Sequence, residues 1–323
     1  MSVLGRDALL APLQEALRDA PADEVELWAH RRRAAITRYS HSSIHQNALS
    51  DETHVQARAI VGRAVGVASA NGLEPASLRR LVADAAALAR LQPPNEEWPG
   101  VALPADHAEP HTFDEATARL DPHEQADAVT LVAGEATRRR FRAAGTHQLE
   151  LAEDAVVNSR SVAAYAPSTL AYVRALVQSA EGSGYADQLA SRSGELDPGD
   201  VALRAAEKCE LDRDRRQLEP GTYEAVFEEL AVAEILRVLS LTGLGGQTVR
   251  EGRSFMSGRL GEQVTGSNFT LHDDALDRRQ LGIPFDIEGT PKRRVALIER
   301  GIARSPVYDR TSAGALGTSS TGH

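Results

Sequence analysis

Cysteine is almost absent from this sequence, since Cys209 is the one cysteine in 323 residues. A single thiol permits no internal disulfide, which is typical of a protein in a reducing compartment. Long apolar runs are also lacking, because no segment approaches the ~20 uninterrupted apolar residues of a membrane span. At the start of the chain, Arg6 and Asp7 stand where a secretory leader is uncharged. These absences predict a cytoplasmic protein without a membrane partner.

Positive charge is in short supply. The chain has 36 Lys and Arg against 46 Asp and Glu, a net charge of −10, which disfavours a nucleic-acid partner. The run from Arg138 to Arg142 is a basic cluster, and it indicates either a solvated helix face or a docking surface for an acidic partner. Aromatic residues make up only 4% of the chain, so the cores must be built from Ala, Leu and Val.

Changes in composition divide the chain into four parts. We expect a first α/β module at 1–95, a connector at 96–122, a second α/β module at 123–218 and a β-rich domain at 219–323. Six prolines between residues 92 and 122 mark the connector. The fold class is therefore α+β: two small α/β modules followed by a C-terminal part rich in antiparallel strands. No internal repeat is evident in the sequence.

Hydrophobic periodicity predicts the elements within these parts. Val25 and Leu27 alternate with Glu24 and Glu26, as in a half-buried strand, and Gly62 separates two apolar runs, as in a hairpin. Asp200 is predicted as the N-cap of a helix. Helices are predicted at 4–19, 74–91, 123–144, 200–212 and 228–239, and strands at 148–158, 161–177, 222–227 and 295–298.

Two histidine pairs were tested as metal ligands. His41 and His45 would share a face only on a helix, and the segment is predicted to be extended, which places them ~13 Å apart. His107 and His111 flank Glu109 in the proline-rich connector without a third convergent ligand, so a solvated loop is the better interpretation. Cys209 is interpreted as an incidental cysteine on a charged helix.

The predicted helix at 228–239 carries the acidic residues Glu228, Glu229 and Glu234 beside an apolar face. Paired carboxylates serve as acid and base or bind a hard cation. Adjacent helical residues diverge by about 100°, however, so Glu228 and Glu229 do not naturally share one site. The favoured interpretation is an amphipathic helix whose acids face solvent or stabilise its N-terminus.

Several motifs together resemble the TldD/PmbA family, known as modulators of DNA gyrase and as two-subunit metallopeptidases. They are GRSFMSGRLGEQV (252–264), TLHDDAL (270–276), GIPFDIEGTPKRRVALIERG (282–301) and the closing STGH. The segments ADEVELWAHRR and VGRAVGVASANGL are similar to the family's first domain, and PGTYEAVFEE is similar to its second. The resemblance therefore extends over nearly the whole chain.

The resemblance also implies which kind of subunit this is. TldD-like members carry HExxxH, in which two histidines bind the metal and the glutamate polarises its water. The corresponding stretch here is Glu228-Glu229-Leu230-Ala231-Val232-Ala233, so only Glu229 matches the motif. Because alanine cannot ligate a metal, the chain resembles the PmbA (TldE) subunit. We expect no catalytic residue and no metal in this chain, with zinc held by a TldD-like partner.

The leading functional hypothesis is a metal-free subunit of a TldD/TldE-type peptidase that acts on unfolded peptides, with glycine-rich strands near 253–261 close to the substrate chamber. Its partners would be a TldD-like subunit or a second copy of the chain. The chain ends at His323, where family members continue, so we expect a truncated member. The alternatives are a non-catalytic peptide-binding or scaffold protein that has lost its partner, and an independent hydrolase that uses Glu228 and Glu229 with a hard metal.

Overall fold

The computed structural model describes residues 3–119, 121–213 and 215–323. The helices are α1 (Arg6–Leu17), α2 (Pro75–Ala89), α3 (Pro122–Arg138), α4 (Pro198–Leu211), α5 (Glu229–Thr242), α6 (Gly246–Arg250) and α7 (Arg310–Ala315). The strands are β1 (Glu24–Ser40), β2 (Ser43–Val61), β3 (Ala64–Asn71), β4 (Arg142–Asn158), β5 (Ala163–Gln178), β6 (Ser183–Ala190), β7 (Leu271–Asp273), β8 (Val295–Glu299) and β9 (Ile302–Ala303).

The predicted first and second modules share one antiparallel sheet. Its strand order is β3-β2-β1-β4-β5-β6, so the two modules join where β1 pairs with β4. Leu27 on β1 lies opposite Ala57 on β2 and Val157 on β4, and all three are buried. The alternation of apolar residues that predicted β1 places these side chains on one face of the sheet.

The sheet contains an internal repeat, which corrects the expectation from sequence. Each half is a helix, three antiparallel strands and a second helix: α1-β1-β2-β3-α2 and then α3-β4-β5-β6-α4. Arg33 and Leu151 pair at the centre of the β1–β4 ladder and are 118 positions apart. The same offset separates Gly66 on β3 from Gly184 on β6. The repeat is hidden in the sequence because the two halves share backbone geometry and small side chains at equivalent positions. They do not share an extended pattern of identical residues.

The helices cover one face of this sheet. In the first half, α1 and α2 pack on a core that includes Leu9, Leu13, Leu27 and Leu78, all fully buried. In the second half, α3 and α4 cover a core of small residues, among them Val132, Ala136, Val173, Ala175, Ala202 and Ala205. Small side chains allow close approach of helix and sheet, which is how a chain with few aromatics fills its interior.

The opposite face of the sheet is covered at one end by the connector and by the segment that contains the PFDIEG motif. Phe285 is buried against β4 and β5 in a cluster with Val156, Val162, Ala164, Ala166 and Ala102. His107 contacts the same segment, since its Nε2 lies 2.9 Å from the Gly289 carbonyl oxygen and its ring meets that of Phe285 edge-on. The connector therefore fastens the C-terminal domain to the sheet.

The C-terminal domain has its own small core around Leu244, Met256 and Leu297, and β7, β8 and β9 form a three-stranded antiparallel sheet. The STG motif is part of this domain. Thr321 accepts a hydrogen bond from the Tyr308 amide at 2.7 Å, and Gly322 has a φ of 76°. A Cβ on Gly322 would lie 2.5 Å from the Pro291 carbonyl oxygen, so glycine is required there.

Three local predictions from sequence are wrong. The segment 222–227 is not a strand but irregular and exposed, because none of its side chains finds a buried surface among the described residues. The third helix ends at Arg138 rather than at residue 144, since Arg140 adopts a positive φ of 61° and β4 begins at Arg142. Asp197 rather than Asp200 caps α4, accepting a hydrogen bond from the Asp200 amide at 2.9 Å.

Candidate functional site

The helix α5 contains the segment that the sequence resemblance sets against the TldD-type metal motif. Glu228 is its N-cap residue in extended conformation, Glu229 lies in the first turn and Gly243 ends the helix. The sequence ELAVAEILRVLSLT places apolar side chains on nearly every side. A helix with that pattern is usually buried on all sides. Here no residue of α5 is buried, and Val226, three residues before the helix begins, is 99% exposed.

The two acidic residues at the start of α5 form surface ion pairs with α4. The Glu228 carboxylate pairs with the Lys208 ammonium group. Glu229 Oε1 lies 3.8 Å from Arg204 Nη1, and about three quarters of the Glu229 side chain is exposed. Exposed pairs of this kind contribute about 0–1 kcal/mol to stability. They hold the start of α5 near α4 and leave Glu228 and Glu229 directed to different cations.

The residues on this helix do not fit a zinc site. Ala233, which the resemblance sets against the second histidine, has no donor atom and is exposed. Within the described ranges, no group of three or more His, Cys, Asp or Glu side chains is arranged to hold a metal ion. Zinc in proteins takes three or four such ligands. No step of a metal-dependent reaction can therefore be assigned to the described residues of this chain.

The histidines and the cysteine considered as candidate site residues lie in turns, on a strand surface or in backbone contacts. His41 is in the β1–β2 turn with a φ of 51°, and His45 is exposed on β2. His111 Nε2 lies 3.3 Å from the Asp277 carbonyl oxygen. Cys209 is buried, and its thiol lies 3.3 Å from the Gly182 carbonyl oxygen. None of these positions forms a reactive or metal-binding arrangement.

The arginine run is divided between two environments. Arg138 and Arg139 both pair with Glu135, and Arg139 also reaches Glu210 on α4 at 2.9 Å. Arg140 and Arg142 are exposed beside an open cavity of about 490 Å³. Arg138 and Arg139 thus form ion pairs on α3 and with α4, whereas Arg140 and Arg142 face solvent.

The segment 253–261, expected to form glycine-rich strands, consists of turns instead. Gly258 and Gly261 have positive φ values of 70° and 87°, which favour turns over strands. Met256 is fully buried in the C-terminal core, and the Gly261 amide donates to the Ala303 carbonyl at 2.8 Å. The FMSGRLGE motif is thus a compact folding element of this domain.

A buried charge cluster joins the PFDIEG segment to the sheet, and sequence reasoning missed it. Arg58 on β2 donates through Nη2 to Glu26 Oε1 at 2.7 Å and to Glu288 Oε1 at 2.6 Å. Burial, together with the nearby Glu288 charge, raises the pKa of Glu26 to about 7. Burial likewise raises the pKa of Asp286 to about 6. One guanidinium thus binds two carboxylates that are 230 and 32 positions away in the chain.

A second missed arrangement is a histidine–aspartate pair on the sheet. His30 on β1 pairs in register with Asp154 on β4, and its Nδ1 lies 3.0 Å from Asp154 Oδ1. The hydrogen bond to Asp154 raises the pKa of His30 above its usual value. The pair lines a cavity of about 280 Å³ between the sheet and the segment before Phe285. In the sequence, His30 is a polar residue within a predicted strand, which does not reveal a partner on another strand.

The fold and the helix together define a class of protein. It is an α+β protein in which a duplicated sheet unit carries a loop-rich C-terminal domain. No helix in the described parts of the chain is long and apolar enough to cross a membrane.

Comparison with known proteins agrees with this architecture. Residues 220–323 match the PmbA/TldA metallopeptidase C-terminal domain. A curated metalloprotease TldD homolog of Buchnera aphidicola is 35% identical over 104 residues, which is 32% of this chain and 22% of that protein. Residues 220–323 thus carry a C-terminal domain of the TldD/PmbA type, as the motifs in this segment predict.

Solved structures extend the likeness to the whole fold. TldE from Thermococcus kodakarensis superposes with a TM-score of 0.81 at 19% identity, covering 98% of this chain and 72% of that one. A modulator of DNA gyrase from Bacteroides thetaiotaomicron gives a TM-score of 0.85 at 17% identity, covering 99% of this chain and 76% of the other. In sequence, the chain matches about a quarter or less of the length of its curated relatives.

Proposed function

We propose that this chain is a metal-free, TldE-like subunit of a TldD/TldE-type metallopeptidase that acts on unfolded peptides. The observation that carries the proposal is the helix α5. By the sequence resemblance it corresponds to the metal motif, yet it has Glu228 and Ala233 where that motif has its two histidines. Glu229, the one matching residue, is engaged with Arg204 at the surface. In this account a TldD-like partner supplies the metal and the reaction.

The exposed apolar surface of α5 supports a subunit role. Ile235, Val238 and Leu241 are 50%, 47% and 72% exposed, and Phe227 just before the helix is 60% exposed. Contiguous exposed apolar surface of this kind marks interaction sites. A partner subunit that covers α5 would remove these side chains from water, which is the main favourable contribution to association.

Co-purification tests this proposal. We expect the chain to form a heterocomplex with a co-expressed TldD-like subunit. V238D, which places a charge on α5, should abolish the complex because a buried unpaired charge is strongly unfavourable. L91D is the matched control, since Leu91 is an equally apolar residue, 79% exposed, beyond the end of α2. Equal complex formation by both variants and the original chain would place the contact elsewhere.

A second candidate is a peptide-binding protein that works without a catalytic partner, and the outer edge of β2 favours it. β3 pairs with β2 only from His54 to Val61. Among the described residues no strand pairs with the outer edge of 43–53, and residues 43–49 are exposed throughout. A free edge of this length can accept an extended peptide as an added strand.

Consecutive proline variants test the edge. In an antiparallel strand, alternate residues direct their amides outward, so one of A48P and L49P removes an outward donor and the other breaks a bond to β1. The peptide-binding hypothesis predicts that the variant that remains folded loses binding of an unstructured, fluorescently labelled peptide to the chain alone. Undiminished peptide binding by that variant would exclude the outer edge of β2 as the binding site.

A further inference from the structure

The geometry points to a binding site for an apolar amine in the cavity beside His30 and Asp154, with the N-terminal residue of a peptide as the ligand. The choice of a peptide rests on the proposed function. The cavity of about 280 Å³ lies between strands β1, β4 and β5 and the segment before Phe285. Its lining includes His30, Glu150, Asp154, Leu170, Leu281 and Ile283.

Asp154 offers the unused acceptor on which the site depends. The residue is only 5% exposed. Its Oδ1 accepts hydrogen bonds from Trp28 Nε1 at 3.1 Å and from His30 Nδ1 at 3.0 Å. Its Oδ2 receives no hydrogen bond from the described residues, although the residue lines the cavity. A carboxylate oxygen that keeps its acceptor capacity beside a cavity can accept a hydrogen bond from a donor that enters it.

Neighbouring groups hold Asp154 in one orientation. The His30 imidazole stacks on the Trp28 indole with ring centroids 5.9 Å apart, and both rings donate to the same carboxylate oxygen. Two donors on Oδ1 fix the carboxylate plane and leave Oδ2 as the remaining acceptor. The site is therefore pre-organised, which lowers the entropy cost of binding.

At the opposite end of the cavity, Arg32 already neutralises the charge of Glu150. Glu150 Oε2 accepts from Arg32 Nε at 2.8 Å and from Gln148 Nε2 at 2.9 Å, and Arg32 Nη2 lies 2.6 Å from the same oxygen. The Arg32 charge is thus satisfied by Glu150 and does not attract an anionic ligand. Asp154, by contrast, pairs with His30, which is charged only when protonated, so a cationic donor is directed to Asp154 when His30 is neutral.

The remaining wall selects an apolar body for the ligand. Leu170 on β5 and Leu281 and Ile283 on the C-terminal segment line the cavity. These apolar side chains cannot solvate a metal ion or a free ammonium ion, but they can pack against an aliphatic side chain. An ammonium group attached to an aliphatic side chain matches both walls. Such a ligand is the first residue of an unfolded chain, for example an N-terminal leucine.

Leucinamide and N-acetyl-leucinamide form the decisive pair of probes, because they differ only in the charged amine. We expect leucinamide to bind and to shift the His30 imidazole resonances in a proton–carbon correlation spectrum, and N-acetyl-leucinamide to leave them unchanged. D154N should weaken leucinamide binding at least tenfold, since hydrogen bonds to charged groups contribute about 1.5–3 kcal/mol. E181Q, in the exposed β5–β6 turn, is the control and should bind as the original chain does.

If D154N fails to fold, I283W tests the site without removing the carboxylate. The indole would fill the cavity from the opposite wall, and it should abolish leucinamide binding. Equal binding of both probes, binding that survives I283W, or no shift at millimolar leucinamide would each overturn the inference. None of these results depends on a TldD-like partner, so failure here is distinguishable from failure of the proposed function.

Discussion

Gly66 on β3 and Gly184 on β6 occupy equivalent positions in the two halves of the sheet, 118 positions apart. Each lies against the second helix of its own half. A Cβ on Gly66 would lie 2.2 Å from the Ala85 carbonyl oxygen, and a Cβ on Gly184 would lie 2.0 Å from that of Ala205. In both halves the helix backbone thus rests directly on the sheet, and the two contacts define one repeated α/β unit.

This equivalence predicts matched effects of substitution. G66A and G184A should each lower the free energy of unfolding by about 1–3 kcal/mol or more, because a methyl group has no room beside helix backbone. Urea denaturation measures the change. G134A is the control, since a Cβ there meets nothing within 4 Å on α3. That variant should be stabilised by about 0.5–1 kcal/mol. A neutral G66A with a destabilised G184A would contradict the structural equivalence.

The junction of Glu26, Arg58 and Glu288 predicts a dependence of stability on pH. Burial raises the pKa of Glu26 to about 7, so the folded state favours its protonated form. This contribution to stability is complete below the unfolded pKa near 4.5, and it is lost as pH rises through 7. The C-terminal domain should therefore be held to the sheet less tightly at pH 8 than at pH 5.

E26Q isolates this contribution, because glutamine keeps an acceptor for Arg58 and cannot ionise. We expect E26Q to gain stability relative to the original chain as pH rises from 5 to 8, by an amount on the order of 1–3 kcal/mol. Measuring the free energy of unfolding at several pH values gives the difference. His30, whose pKa is also raised, contributes equally to both proteins and cancels. A difference that stays constant with pH would contradict the raised pKa.

The buried Glu153 carboxylate predicts a dependence of stability on pH that has the opposite sign. Although burial raises the pKa of its carboxyl group, hydrogen bonds from the Gly5 and Leu4 amides, Tyr165 and Arg31 outweigh burial and lower it. The stability that it provides is present above pH 4.5 and is lost as pH falls through the lower folded pKa. E153Q should cost about 2 kcal/mol at pH 7, since charged hydrogen bonds are lost. Faster proteolysis of the segment before α1 should accompany that loss.

The matched control for E153Q is E207Q, at an exposed position on α4. It should change the free energy of unfolding by less than about 0.5 kcal/mol. If E153Q is as stable as E207Q at pH 7, the buried carboxylate does not anchor the start of the chain as described.

The ion pairs of Glu228 and Glu229 predict small effects. K208A and R204A should each change stability by less than about 1 kcal/mol, because the pairs are exposed. The same variants separate a structural role from catalysis, since a hydrolase based on Glu228 and Glu229 would bind a divalent metal. Elemental analysis of the isolated chain should find no stoichiometric metal, in the original protein or in either variant.

Local patterns predicted much of the fold. The alternation around Val25 and Leu27 correctly indicated a strand, and Gly62 correctly indicated the β2–β3 hairpin, because both signals depend on neighbouring residues. The family motifs from 252 to 301 predicted the C-terminal domain that comparison confirms. The strand predicted at 222–227 was wrong because its apolar residues find no sheet to join among the described residues.

The candidate sites depended on contacts that no local pattern encodes. His30 meets Asp154 only because β1 and β4 pair across 124 positions. Arg58 meets Glu288 only because the PFDIEG segment folds back on the sheet. The repeat was invisible for a related reason: its equivalent positions share shape requirements, as Gly66 and Gly184 do, rather than an extended sequence pattern.

The mass and metal content of the chain, purified alone and with a co-expressed TldD-like subunit, show whether it is a metal-free subunit. Light scattering gives the mass, and elemental analysis gives the zinc. The account predicts a heterocomplex that contains zinc only when the partner is present. Stoichiometric zinc in the isolated chain would contradict it, and would return attention to Glu228 and Glu229 at the start of α5.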